Sequence, residues 1–376
     1  MGILSGLRII DFSQTAAGAF CTKLLSDMGV EVIKIDPPAG KGTANSSYNN
    51  ITSEYLAAMR GKRSVMMDIE QPANKPFLDG LIKISDGIVE SFAPGYMKKY
   101  GFSYEDAAAL KNDICYLSIT GFGQYGPYAQ RPYSDTVIQA LSGLMSITGE
   151  PDGSPMRAGT DLAEEFAGLF SAVGMVGMLR HQFCTGAGQY LDLAQLDCMI
   201  PPLENAFINY LATGKVPGRL GNKHRVDVPF QDFPTKNGDL LITVNRDNTF
   251  AALCRVLDCP QFIVHPHYAD CESRRVNADE VVAQLAARTS RWDIRELSDA
   301  LTEAGVPNSP INTVDQTVSS EQIRARGMII EARHPSAGTY KTTNCPLKFS
   351  KSPVEARLYT PAFGEDTEKL INELNL

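Results

Sequence analysis

No C-x-x-C pair occurs among the eight cysteines of this 376-residue chain. Scattered from Cys21 to Cys345, they read as reduced, mostly buried thiols, which argues against both a disulfide framework and a zinc ribbon. Histidine is also scarce. Of five, only His265 and His267 lie close together, in a Pro-rich stretch without the Cys or carboxylate spacing of a ligand set, so no metal is expected. Basic residues are in deficit, 35 Lys+Arg against 43 Asp+Glu. The net charge of −8 removes any general attraction to nucleic acid or an anionic membrane, so neither is expected as a partner. An anionic ligand would need a local basic patch. Long hydrophobic runs are missing too. The most apolar stretch, residues 167–179, is short and rich in small side chains, and the start MGILSGLRIIDF has no basic leader. Ser5 is not where a myristoylation signal needs its hydroxyl residue, and a cytoplasmic protein is expected. There is no internal repeat and no low-complexity tract.

What is present is ordinary globular composition, with 43% apolar and 21% charged residues and length enough for one large or two moderate domains. LRIIDF (7–12) reads as a buried parallel strand ending in Asp. A small-residue turn, 14–18, leads into a helix over 20–28 that stops at Gly29, and VEVIKI (30–35) is the next strand. This is a βαβ unit, but its turn lacks G-x-G-x-x-G, so a nicotinamide cofactor is not expected. Further alternation follows: strands at 64–68, 87–90 and 114–119, helices at 76–85 and 104–110. Such alternation predicts an α/β fold with an open parallel sheet. Residues 161–183, with Gly168, Gly174 and Gly177, predict a closely packed buried helix. The stretch 214–232 is rich in Gly, Pro and charge and reads as a linker. A strand at 239–244 and three helical stretches between 249 and 304 make a smaller domain over 233–320. Extended pieces at 328–332 and 340–349 and a helix over the last ten residues follow.

Several segments, in order, carry a family resemblance: GLRIIDFSQTAAGAFCTKLLSDMGVEVIKIDPP, KRSVMMDI, VESFAPGYMKKYGFSYED, SITGFGQYGPYAQRPYSDTVIQALSG, TGAGQYLDLAQLD, GVPNSPI, ARGM and CPLKFSKSP. Together they span essentially the whole chain, which resembles the class III CoA-transferases (formyl-CoA transferase-like, CaiB/BaiF). The resemblance implies a large α/β domain built from both chain ends, residues 1–213 and 321–376. It also implies a smaller α+β domain inserted between them and a homodimer whose subunits interlink. The activity implied is movement of CoA from an acyl-CoA donor to a carboxylic acid acceptor. An active-site carboxylate attacks the thioester, and the steps run through a mixed anhydride and an enzyme-bound CoA thioester. The partners implied are an acyl-CoA and a small carboxylic acid. CoA belongs to the substrate, and no tightly bound cofactor is implied.

The family places its nucleophilic Asp four residues before the glycine that opens the small-residue helix. Counting back from Gly168 gives Glu164, a carboxylate one methylene longer. Three assignments stay open: Glu164 as nucleophile, Asp161 in that role through a shifted loop, or a site altered for transfer in which Glu164 only caps a helix. By position, Ala16 and Ala17 match a turn that approaches CoA. Ser91, Phe92 and Ala93 match a triplet that holds it, Lys99 a basic residue on a CoA phosphate, and Arg131, Pro132, Tyr133 and Ser134 the pantetheine segment. Asp135 matches a carboxylate near the active site and is a candidate substrate contact. Where formyl-CoA transferases carry a glycine run, this chain reads Asn245-Arg246-Asp247-Asn248, which points away from oxalate and formyl-CoA as the substrate pair. Asn245 and Arg246 are candidate contacts for a different acid. Two alternatives remain at this level. One is a CoA-ester-binding homologue without turnover. The other is an acyl-CoA racemase, against which stands Ser134 where that branch has its proton-transferring His.

Overall fold

The computed structural model describes residues 2–38, 52–354 and 356–374. By internal contacts the chain forms two compact units. The first comprises Met1–Leu144, Arg157–Lys215 and Glu321–Leu376; the second comprises Met145–Met156 and Val216–Ser320.

The first unit is built on a six-stranded sheet of β1 (Arg8–Asp11), β2 (Glu31–Asp36), β3 (Arg63–Met66), β4 (Gly87–Glu90), β5 (Cys115–Thr120) and β6 (Gln189–Ala194). Every pairing is parallel and the order is β3-β2-β1-β4-β5-β6. Ile9 and Ile10 on β1 face opposite sides and are both fully buried, one in each of two cores. That burial on both faces is why apolar residues in β1, β2 and β5 occupy adjacent positions instead of strictly alternating. The chain leaves β1 toward β2 and β3, then returns to the other side of β1 at β4. The carboxyl ends of β1 and β4 therefore part at a topological switch point, where open α/β sheets bind their ligands.

Two helices matter for the site. The first, Ala16–Asp27, is capped by the Thr15 hydroxyl, which accepts from Gly18 N–H, so it begins a turn earlier than its apolar spacing indicates. The second, Leu162–Thr185, has 24 residues and is long and apolar enough to cross a bilayer by length and composition. Its buried stripe of Ala163, Ala167, Gly168, Ser171, Ala172, Met175 and Met178 marks it instead as a core helix, packed on the first helix, β5 and β6.

The second unit holds an antiparallel sheet of β7 (Phe230–Thr235), β8 (Gly238–Thr243) and β9 (Asn308–Pro310), with its own core around Phe233, Phe250 and Leu297. Four α-helices, not three, lie between 247 and 303, and β7 begins inside the stretch read as linker. The last segment adds the hairpin β10 (Ile329–His334) and β11 (Gly338–Thr343) to the first unit. A terminal helix, Thr367–Glu373, docks on β3, where Arg63 pairs with Glu373 and Ser64 N–H donates to Asp366. Asn375 and Leu376, read with that helix, lie outside the described residues.

Candidate functional site

The turn after β1 is held by charge buried beneath it. The Asp11 carboxylate accepts from Ser13 N–H, from the Thr22 hydroxyl at 2.6 Å and from Lys62 Nζ at 3.0 Å. Both side chains of the Asp11–Lys62 pair are fully buried. Burial pushes the Asp11 carboxyl up, but the Lys62 and Lys34 ammoniums, together with the Ser13 and Thr22 hydrogen bonds, hold the group below its ordinary value. Across the switch point, Gln14 N–H donates to Ser91 Oγ at 2.8 Å, tying the turn after β1 to the chain leaving β4.

This turn delivers the Ala16–Ala17 backbone to Glu164. Ala17 N–H donates to Glu164 Oε2 at 2.9 Å. The carboxylate thus sits at the amino end of the first helix while its own backbone lies in the first turn of the second. Gly168, one turn further on, permits the approach: a Cβ there would lie 2.7 Å from Ala17 O and 2.9 Å from Phe20 Cδ1. Burial pushes the Glu164 carboxyl above its ordinary value; the Ala17 and Ala16 N–H groups pull it back, and the charges of Asp135 and Asp161 push it up again.

Asp135 proves to be a structural acceptor. It is 6% exposed, Oδ1 accepts from Ala163 N–H (2.8 Å) and Glu164 N–H (3.1 Å), and Oδ2 accepts from Gln139 Nε2 (2.6 Å). Both oxygens accept hydrogen bonds from the protein, which gives Asp135 a structural role beside its candidate role as a substrate contact. Asp161 makes no side-chain cap on its own helix; its exposed carboxylate faces Arg157 at 3.8 Å. Glu164 is likewise not the cap of its own helix.

Ser91 is nearly buried, and Phe92 stacks on Tyr96 at 4.4 Å, with Tyr100 edge-on beyond it. Ala93 is exposed, and Lys99 is exposed with Nζ on the Tyr100 hydroxyl at 3.0 Å. Arg131 lies over Tyr128 at 5.1 Å, and Pro132 and Ser134 are exposed. Tyr133 covers Gly121 and packs edge-on against Phe122. Burial, then the charges of Glu164 and Glu90, push its phenol up to about 12. Ala16, Ala17, Ser91, Tyr133 and Glu164 therefore gather at the switch point. Asn245 and Arg246 belong to the second unit, where both are exposed and Arg246 precedes the helix Asp247–Val256.

Three residues of this site were not singled out by the sequence: Lys62, Gln139 and Glu90. Glu90 ends β4, accepts from Phe92 N–H at 2.7 Å, and is pushed up to about 7 by burial. Only its place as the last residue of a strand in a parallel sheet could have singled it out. No cluster of His, Cys, Asp and Glu suited to a metal occurs among the described residues.

Comparison with known proteins agrees along the full length. Residues 4–367 match CoA-transferase family III. The succinate–glutarate CoA-transferase of Agrobacterium fabrum is 34% identical over 381 residues, covering 99% of this chain and 95% of that protein. The acetyl-CoA:oxalate CoA-transferase of Acetobacter aceti is 33% identical over 354 residues, covering 93% and 90%. The crystal structure of a CaiB/BaiF family protein from Brucella suis matches with a TM-score of 0.88 at 33% identity over 99% of each chain. The chain belongs to the class III CoA-transferases.

Proposed function

We propose that the protein moves CoA from an acyl-CoA donor to a small carboxylic acid, with Glu164 as the nucleophile. One observation carries this reading: at the switch point of the sheet, a half-buried glutamate meets the amino end of a second helix through Ala17 N–H.

A Glu164 oxygen attacks the thioester carbonyl, the C–S bond breaks, and CoA leaves as thiolate. The thiolate attacks the Glu164 carbonyl carbon of the mixed anhydride, releasing the donor acid and leaving a glutamyl-CoA thioester. The acceptor carboxylate attacks that thioester, giving a second anhydride and thiolate. Attack of the thiolate on the acceptor acyl carbon completes transfer and frees Glu164. No net proton is required, and each step exchanges bonds of similar energy. The Ala16 and Ala17 N–H groups suit the oxygen of Glu164 that gains charge in the middle steps. A carboxylate made more basic by burial is also a better nucleophile than one in water.

The names of the relatives, succinate–glutarate and acetyl-CoA:oxalate, support short acids, dicarboxylates above all, as acceptors. A homodimer belongs to the same reading. The helix Glu204–Thr213 buries none of its residues and exposes Ile208, Tyr210 and Leu211, an apolar face suited to a second copy. Eight unpaired cysteines suit the reducing cytoplasm.

The test is incubation with succinyl-CoA, reduction by borohydride and peptide mapping. Modification of Glu164 is expected. Modification only at another residue, or undiminished turnover by Glu164→Gln, would refute the assignment.

A further inference from the structure

The helix that carries Glu164 starts in an unusual way. Helix amino ends leave N–H groups unpaired, and the residue at the boundary normally satisfies them with its own side chain. Here Asp161 occupies that boundary and makes no such bond. The work passes to Asp135, 28 residues upstream of Ala163 in the first turn of the helix Asp135–Leu141. Its Oδ1 takes the N–H groups of both Ala163 and Glu164. Glu164 is therefore gripped at two points, its backbone by Asp135 and its carboxylate by Ala17 N–H.

Asp135 is itself held. Gln139, fully buried one turn along the same helix, donates from Nε2 to Asp135 Oδ2 at 2.6 Å and to Thr160 O at 3.2 Å. Its Oε1 accepts from Ala158 N–H at 2.9 Å. One amide thus orients the capping carboxylate and pins the strand of backbone, 158–160, through which the chain returns to the first unit and enters the helix. No ion pair to Asp135 is found among the described residues, so a buried carboxylate is balanced by hydrogen bonds alone. Burying a charge that way is costly unless its bonds are well made. A local cap by Asp161 would have satisfied the same N–H groups in water at less cost, without fixing Glu164 to another element.

We infer that Gln139 and Asp135 are positioning residues for the reaction: through the Asp135 cap they set the height and rotation of the first helical turn, and hence where the Glu164 carboxylate meets the thioester. The inference rests on Glu164 being the nucleophile. A displacement of about 1 Å in a reacting group can cost roughly 10²-fold in rate, so loss of the amide is felt in kcat rather than in CoA binding.

The experiment compares the full-length wild type with Gln139→Leu, Gln139→Glu and the double variant Asp135→Asn/Gln139→Glu, using succinyl-CoA and glutarate. Q139L strips the amide at similar size. Q139E sets two carboxylates against each other. The double variant restores a donor–acceptor pair with its polarity reversed: the amide introduced at position 135 donates to the carboxylate introduced at position 139. Its amide oxygen remains as an acceptor for Ala163 and Glu164 N–H. Expected results are a fall of roughly 10²-fold in kcat for Q139L with KM for succinyl-CoA within about threefold, and recovery of at least about tenfold by the double variant over Q139E. Near-UV circular dichroism reports folding. If Q139L folds and keeps wild-type kcat, the inference is overturned. If Q139L fails to fold, the double variant decides: no gain over Q139E overturns it. Borohydride mapping of the wild type separates the two levels. A labelled Glu164 with an indifferent Gln139 removes only the positioning role, whereas an unlabelled Glu164 removes the nucleophile and this inference with it.

Discussion

A carboxylate that must attack a thioester has to be ionised, dry and held. Glu164 is held by Ala17 N–H and pushed above its ordinary value of 4.5 by burial. Protonation removes the nucleophile, so kcat/KM should fall on acidification, with its midpoint above pH 4.5. A pH–rate profile whose acid limb lies at or below that value would contradict the assignment. Glu164→Asp should retract the reacting oxygen and lower kcat by roughly 10²-fold, measured at saturating acyl-CoA. Glu90 offers a prediction independent of turnover. Its folded value near 7 exceeds the ordinary 4.5, so its neutral form stabilises the fold fully below pH 4.5 and that contribution is lost as pH rises through 7. The loss amounts to about 3 kcal/mol. Urea unfolding of Glu90→Gln should show a flatter pH dependence than wild type between pH 4.5 and about 8. The proposed nucleophile could be singled out by counting from Gly168, because a packing glycine leaves a trace in the sequence. Gln139 could not, because a buried amide looks like any helical Gln until its three partners, brought from another segment and another helix turn, are seen around it.

Between elements, the decisive contact is the crossing of the helices Ala16–Asp27 and Leu162–Thr185. Gly168→Ala would drive a methyl into Ala17 O and Phe20, separating the helices at the point where Glu164 meets Ala17 N–H. We expect a cost of about 1–3 kcal/mol in urea unfolding and a larger fractional loss of kcat than of stability-limited yield; wild-type kcat in this variant would show that the crossing distance does not matter. Lys62→Met leaves Asp11 buried and unpaired under the same turn, with an expected loss of about 3–5 kcal/mol in chemical denaturation. The elements themselves were largely legible: β4 and the helix Tyr104–Leu110 keep their expected bounds. β6 was not. Its residues Gln189 to Asp192 are exposed or half-exposed, so its edge position gives it no continuous apolar run. The helix Asp135–Leu141 was missed for its shortness, and it carries both positioning residues.

For the whole molecule, the same chain ends build one unit while the middle builds another, each with its own core. The apolar surface of the first unit has a consequence for assembly. Leu211 is 77% exposed, and Leu169, Phe170 and Val173 line the outer face of the long helix. If a second copy covers these faces, as the proposed homodimer requires, the protein should sediment as a dimer at nanomolar concentration. A monomer in analytical ultracentrifugation would rule that assembly out.

Sequence alone settled the family, the parallel α/β class and a short list of acids near Gly168, since buried runs, turn residues and packing glycines are local signals that survive in one dimension. Tertiary structure gave those acids different surroundings. It turned Asp161 to solvent, set one oxygen of Asp135 on a helix end and the other on the Gln139 amide, and brought Ala17 N–H, 147 positions away, to Glu164. Hydrogen-bond geometry and desolvation depend on which distant segments meet, and no window along the chain contains that information.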